Sequence, residues 1–154
     1  MGFKEVNSSL CVEGVPLSDI AKDYGTPTYV YSTESLKKNF NAYFSSVRER
    51  DKVCFSVKSN SNIHILELMK NLGSGFDVVS GGELKKCLIV GAKPESIVFS
   101  GVGKSLDDIE LALENNIYSI NVESEKELER IITLARANGK KANCSIRINP
   151  DIFL

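Results

Sequence analysis

No excess of charge of either sign marks this sequence: 19 basic residues face 20 acidic ones, for a net charge of −1. That balance argues against a nucleic-acid partner or a polybasic membrane patch. No apolar run approaches the length of a membrane span. The start, Met1 to Val6, lacks a signal-peptide core, and Val6 breaks the myristoylation pattern. Cys11, Cys54, Cys87 and Cys144 form no CxxC pair. Cys54 and Cys144 fall inside strand patterns and Cys87 on a helix face, so buried, reduced thiols are expected in place of metal ligands. The single histidine, His64, lies at a helix start outside the apolar stripe. It reads as a solvated residue and not as a base or ligand, and no metal cluster accompanies it. The expectation is a cytoplasmic protein with no nucleic-acid, membrane or metal partner.

Complete phosphate-binding motifs are missing too. Gly103-Lys104-Ser105 has the ending of a P-loop, but Val98 stands where its first glycine belongs. Gly73-Ser74-Gly75 precedes a strand instead of following one, and Val78 replaces the third glycine of a dinucleotide fingerprint. Ser80-Gly81-Gly82-Glu83 does lie between strand and helix, where free amides can hold an anion. A tight turn is the stronger reading of it.

What the sequence has is rhythm. Val53, Phe55 and Val57 alternate with Cys54, Ser56 and Lys58, the period of a strand over 53–58. Its polar set ends in Lys58, and a lysine turned inward at a strand end can be buried, lose a proton cheaply and act as an amine nucleophile. Further strands are expected at 76–80, 97–100, 118–123 and 144–149. Helices are expected from 62 to 72, from 83 to 90, from Ser105, and from a capping box formed by Ser124 and Glu127. A helix capped by Ser32 or Thr33 precedes them, with Leu36, Phe40, Phe44 and Val47 as its stripe. The unit repeats about every 20–25 residues.

Such repeats imply parallel strands with right-handed crossovers, either in an open doubly wound sheet or in a closed barrel. Polar residues on one strand face only favour the barrel: Ser56 and Lys58; Asp77; Ser119, Asn121 and Glu123; Ser145, Arg147 and Asn149. Glu123 reads equally as a carboxylate at the barrel mouth or as a spacer before the Ser124 cap. The fold class is therefore α/β, a partial (β/α)8 TIM-type barrel with about five of its eight strands. Residues 1–32 stand apart: strands at Leu10–Val12 and Thr28–Tyr31 and a short helix at 17–25 form an arm that must pack on something else.

The motifs Phe55-Ser56-Val57-Lys58-Ser59-Asn60, Gly73 to Leu84, Phe99 to Lys104, Asn121 to Glu125 and Arg147 to Asp151 come in one order and spacing. Together they resemble meso-diaminopimelate decarboxylases of the ornithine/lysine/arginine decarboxylase family, over essentially the whole chain. Ser59 stands where that family also allows alanine. The resemblance implies a pyridoxal-phosphate (PLP) enzyme with an alanine-racemase-like barrel, fused to a β-domain that uses both chain ends. Residues 1–32 are then the N-terminal arm of the β-domain, and 33–154 the N-terminal part of the PLP-binding barrel. It further implies that Lys58 is catalytic and holds the cofactor covalently, with Asp77 and Arg147 beside the cofactor. The implied reaction converts meso-diaminopimelate to L-lysine, in a family of homodimers. The family's ring-stacking histidine and phosphate-binding glycines have no counterpart here, so the chain is expected to be an N-terminal fragment without activity of its own. Alternatives are a barrel decarboxylase for ornithine, arginine or carboxynorspermidine, a non-catalytic PLP carrier, and a non-catalytic partner of a longer homologue.

Overall fold

A computed structural model describes residues 2–150. The ends of the chain, including Asp151 of the last motif and Ile152-Phe153-Leu154, lie outside the described residues. Two compact units divide at Glu49 and Arg50.

The first unit opens with strands β1 (Phe3–Val6), β2 (Ser9–Val12) and β3 (Val15–Pro16), antiparallel in that order. Of these the sequence reading finds only β2. Both connections are two-residue hairpin loops with positive φ at each residue, 50° and 60° at Asn7-Ser8 and 48° and 87° at Glu13-Gly14. That is the turn whose twist suits antiparallel strands. No strand forms at Thr28–Tyr31, where Tyr29 is 89% exposed and no second strand pairs with the segment. Helix α1 (Leu17–Tyr24) ends at Gly25 as expected.

Helix α2 (Thr33–Phe44) starts at Ser32, whose hydroxyl accepts from the Ser35 N–H. The Glu13 carboxylate joins this cap, accepting from Ser32 Oγ at 2.8 Å and the Glu34 N–H at 2.7 Å. Those bonds hold its carboxyl below the ordinary range. Of the expected stripe only Phe40 is buried; Phe44 is half exposed and Val47 lies beyond the helix. The Ser45 and Ser46 hydroxyls both bond back to the Ala42 carbonyl, which favours termination.

The second unit is one parallel sheet with strands in chain order: β4 (Cys54–Ser56), β5 (Gly75–Val78), β6 (Ile97–Phe99), β7 (Ser119–Val122) and β8 (Cys144–Ile146). Helices α3 (Ile63–Asn71), α4 (Gly81–Ile89), α5 (Leu106–Glu114) and α6 (Glu125–Ala137) connect them. This order decides between the two architectures. A doubly wound sheet reverses direction to cover both faces, whereas unreversed right-handed crossovers put every helix on one face. The five strands are thus consecutive staves of a barrel wall.

Phe76, Val78, Ile97, Phe99 and Ile120 fill the helix-side face and meet Leu66, Leu84, Ile109 and Ile131, all at 2% exposure or less. Each such side chain contributes about 1.5–3 kcal/mol relative to exposure. Gly75 is imposed by crowding on the other face. A Cβ there would sit 2.7 Å from both Cys54 Sγ and the Ser96 carbonyl oxygen.

Two further expectations change. Cys144 is exposed, because β8 pairs only with β7 and is an edge among the described residues. Strand β4 stops at Ser56, and Val57–Ser59 is a 3-10 turn closed by the Asn60 N–H on the Val57 carbonyl at 3.0 Å. The turn rotates successive side chains by about 120° instead of the 180° of a strand, so the inside–outside alternation ends there. Val57 is fully buried, and Lys58, expected to be buried, is exposed.

Candidate active site

The C-terminal ends of parallel strands are where barrel loops gather functional groups. Here that rim runs from Ser56 and Lys58, past Asp77, Ser100 and Asn121, to Glu123 and Arg147. The register sets Ser56 of β4 directly beside Asp77 of β5, and Asn121 of β7 beside Ser145 of β8. All four side chains leave the face opposite the helices.

Lys58 stands at the start of this rim. Among the described residues its ammonium has no hydrogen-bond or ion-pair partner. Ser56, two residues earlier, has a buried Oγ that also lacks one. A buried hydroxyl without a partner is uncommon and marks a place where a polar group is wanted.

Asp77 Oδ1 accepts a 2.5 Å hydrogen bond from Ser100 Oγ, which in turn accepts from Asn121 Nδ2 at 3.0 Å. Next to it, burial and the negative charge of Asp77 push the Cys54 thiol up, so Cys54 is not a thiolate nucleophile. Burial and Glu83 push Cys87 up to about 12, which likewise keeps it inert.

At the far edge, Arg147 Nη1 meets Glu123 Oε1 at 3.1 Å, the guanidinium half exposed and the carboxylate 7% exposed. Burial raises the Glu123 carboxyl, but the Gly101 N–H at 2.9 Å, the Arg147 guanidinium and the Lys104 charge outweigh it and hold it low. Glu123 is thus an ion-paired carboxylate at the rim and also the residue directly before the Ser124 cap, so its position fits both readings. Arg147 also borders a cavity of about 360 Å³ lined by Val122, Ser124, Leu128 and Ile146. Lys58 follows β4 and Asp77 lies on the adjacent β5, whereas Arg147 follows β8, four strands from β4.

Lys104, which the sequence shows as the tail of an incomplete P-loop and the last residue of the motif from Phe99, is the rim's buried cation. Its Nζ donates to the Gly101 carbonyl at 2.7 Å, the Asn121 carbonyl at 2.7 Å and Glu127 Oε1 at 3.1 Å. All three ammonium donors are used. Glu127, expected to close a capping box on its own Ser124, instead turns Oε2 to the Glu123 N–H at 2.7 Å. Only the serine half of that box forms. Glu83 repeats the arrangement at α4, accepting from the Val79 N–H at 2.9 Å. No local pattern announces Lys104, because two of its acceptors lie 17 and 23 residues away.

The Ser80–Glu83 segment is a helix start with two of its amides already engaged. Gly81 N–H donates to Asp108 Oδ1 at 2.8 Å and Glu83 N–H to Ser80 Oγ at 3.2 Å. An internal carboxylate thus occupies the position an outside anion would take. His64 is exposed. Among the described residues no group of three His, Cys, Asp or Glu is placed to hold a metal ion, and no helix is long and apolar enough to cross a membrane.

The family model for the pyridoxal-binding domain of pyridoxal-dependent decarboxylases matches residues 33–153. The chain belongs to that family. Its match begins with α2 and takes in the whole parallel sheet. Diaminopimelate decarboxylase from Pseudomonas aeruginosa is 46% identical over 151 residues, covering 97% of this chain and 36% of the relative. The Helicobacter pylori enzyme of the same name is 48% identical over 135 residues, covering 87% of this chain and 33% of its own length. The crystal structure of Helicobacter pylori diaminopimelate decarboxylase with L-lysine superposes with a TM-score of 0.84 at 45% identity, over 88% of this chain and 35% of that one. The M. jannaschii enzyme, also in complex with L-lysine, gives 0.92 at 35% identity, over 98% and 36%. The chain therefore spans about a third of the length of the relatives it matches, and its five staves are the N-terminal part of their barrel.

Proposed function

We propose that this chain carries the cofactor lysine of a decarboxylase that converts meso-diaminopimelate to L-lysine, with Lys58 as the residue that holds pyridoxal phosphate. The observation that carries the reading is the exposed, unpartnered Lys58 amine at the rim, with Asp77 on the adjacent strand. The residues suit the cofactor. An amine without a competing partner is what a covalent attachment needs, and the unpaired Ser56 Oγ offers a polar contact beside it. When bound, pyridoxal phosphate supplies an electron sink for the pair left behind as carbon dioxide departs.

The chain's own groups bind and orient. Asp77 presents a carboxylate oriented by Ser100. Arg147, held by Glu123 through one nitrogen, keeps further N–H donors for an anionic group. The substrate assignment draws on the relatives, which carry the name diaminopimelate decarboxylase and two of which hold L-lysine. Residues 1–32 are assigned to the arm of a β-domain. Their three-stranded sheet is marginal alone and leaves Phe3, Val6, Leu10 and Val15 between 40% and 54% exposed. A homodimer of cytoplasmic chains completes the proposal.

The test is an absorbance spectrum of the purified chain with pyridoxal phosphate, followed by borohydride reduction and peptide mapping. The reading expects a visible band and a label on Lys58 alone. No band, or a label scattered over surface lysines, overturns it.

A further inference from the structure

The hydrogen bonds on the open face of the sheet have a direction. A serine hydroxyl has one proton, and Ser100 gives it to Asp77 Oδ1 at 2.5 Å. The lone pair of Ser100 is then available to a donor, and Asn121 Nδ2 supplies one at 3.0 Å. The chain therefore runs Asn121 to Ser100 to Asp77, from β7 across the end of β6 to β5.

Its backbone is anchored independently of the side chains. The Ser100 N–H donates to the Val78 carbonyl at 2.8 Å. The Lys104 ammonium binds the carbonyls of Gly101, the neighbour of Ser100, and of Asn121 itself. The backbone of Asn121 on β7 and that of Ser100, just after β6, are thus held by bonds separate from the side-chain row. Asp77, at the far end, is set beside Ser56 by the parallel register, with Lys58 two residues beyond. The partnerless Ser56 Oγ belongs to the same face, so the row ends where a polar group is wanted.

We propose that Ser100 and Asn121 are positioning residues whose hydrogen-bond chain aims the Asp77 carboxylate at the group held by Lys58. This rests on the reading of Lys58 as the cofactor lysine. Both residues act through Asp77. A carboxylate held in place favours the protonated, longer-wavelength form of the Lys58-linked cofactor by direct charge attraction. A carboxylate free to rotate does so less.

The experiment compares the wild-type chain with Ser100→Ala, Ser100→Thr and Asn121→Ala, each loaded with pyridoxal phosphate at neutral pH. Borohydride mapping reports where the cofactor is, and the ratio of the two absorbing forms reports its surroundings. The expected result is Lys58 labelled in all four, with the ratio of protonated to unprotonated form falling about threefold in Ser100→Ala, equivalent to roughly half a pK unit. Asn121→Ala should fall less, and Ser100→Thr, which keeps the hydroxyl, should match the wild type. In the cofactor-free chain, three-bond couplings of Asp77 should show one χ1 rotamer in the wild type and averaging in Ser100→Ala. Lys58 labelled with an unchanged ratio, or Asp77 couplings untouched by Ser100→Ala, overturns the relay and leaves the Lys58 reading standing. A wild-type chain without a Lys58 label overturns both.

Discussion

Lys104 and Glu127 form an ion pair at 3.1 Å with side-chain exposures of 0% and 8%. The pair joins the loop after β6 to the first turn of α6. It binds the Asn121 carbonyl on one side and the Glu123 N–H on the other. Two rim residues, Asn121 and Glu123, therefore hang from it.

Removing one partner leaves the other charge buried without compensation, a loss of about 3–5 kcal/mol. Lys104→Met should lower urea stability by that amount. The double variant Lys104→Met, Glu127→Leu should recover most of it, since an apolar pair of similar volume fills the site. Lys126 and Glu129 make a shorter contact, at 2.9 Å, but are 79% and 64% exposed. Lys126→Ala should change stability by less than about 1 kcal/mol. Equal effects in the two variants would show that Lys104 is not the anchor.

The barrel repeat is legible from sequence because each turn of it is written locally. Serines at 80, 105 and 124 cap three successive helices, and apolar alternation marks the strands between them. The polar face is equally legible: Asp77 and Asn121 do share one surface with Ser56. Lys58 shows where the alternation rule stops, because a single 3-10 turn ends the strand two residues early. The buried Lys104 and the Asn121–Ser100–Asp77 chain are not legible. Their contacts span 17 to 23 residues, and only the assembled sheet brings the partners together. The hairpins of β1–β3 are not legible either, since neither Asn7-Ser8 nor Glu13-Gly14 is one of the Asn-Gly or Asp-Gly pairs that announce such turns.

Gly81 makes a second long-range prediction. A Cβ at this position would lie 2.2 Å from Asp108 Oδ1, the oxygen that accepts from the Gly81 N–H. The other oxygen, Oδ2, accepts from the Ser105 N–H at 3.1 Å and closes the capping box of α5. Gly81→Ala should therefore disturb two helix starts at once and cost about 1–3 kcal/mol. Asp108→Ala removes the obstacle, so the double variant should be less destabilised than the sum of the singles. Strict additivity in a denaturant series would show that the two residues do not communicate.

Glu123 predicts a pH dependence. Its folded pKa lies below that of an ordinary glutamate, because the Gly101, Arg147 and Lys104 interactions outweigh burial. A group with a depressed folded pKa contributes stability that is present above the unfolded pKa and lost as pH falls through the folded one. The stability gap between the wild type and Glu123→Gln should thus be full near neutrality and close in acid below the usual glutamate range. Hydrogen-exchange protection at the Gly101 N–H, the direct donor to Glu123, should decline over the same window. A gap that widens on acidification would reverse the sign and remove Glu123 from this role.

Lys58 separates site from scaffold. An exposed side chain with no partner among the described residues contributes little to folding, so Lys58→Ala should leave stability within about 0.5 kcal/mol of the wild type. The same substitution should abolish the borohydride-trapped cofactor label, because among the described residues the rim's other lysine, Lys104, has all three donors engaged. Lys104→Met should show the opposite pattern, with stability lost while the Lys58 amine remains chemically intact. Thermal unfolding and peptide mapping on the two variants therefore give a crossed result. A Lys58→Ala chain that still labels at one rim lysine would move the attachment point elsewhere, and one that unfolds would show that the lysine belongs to the scaffold.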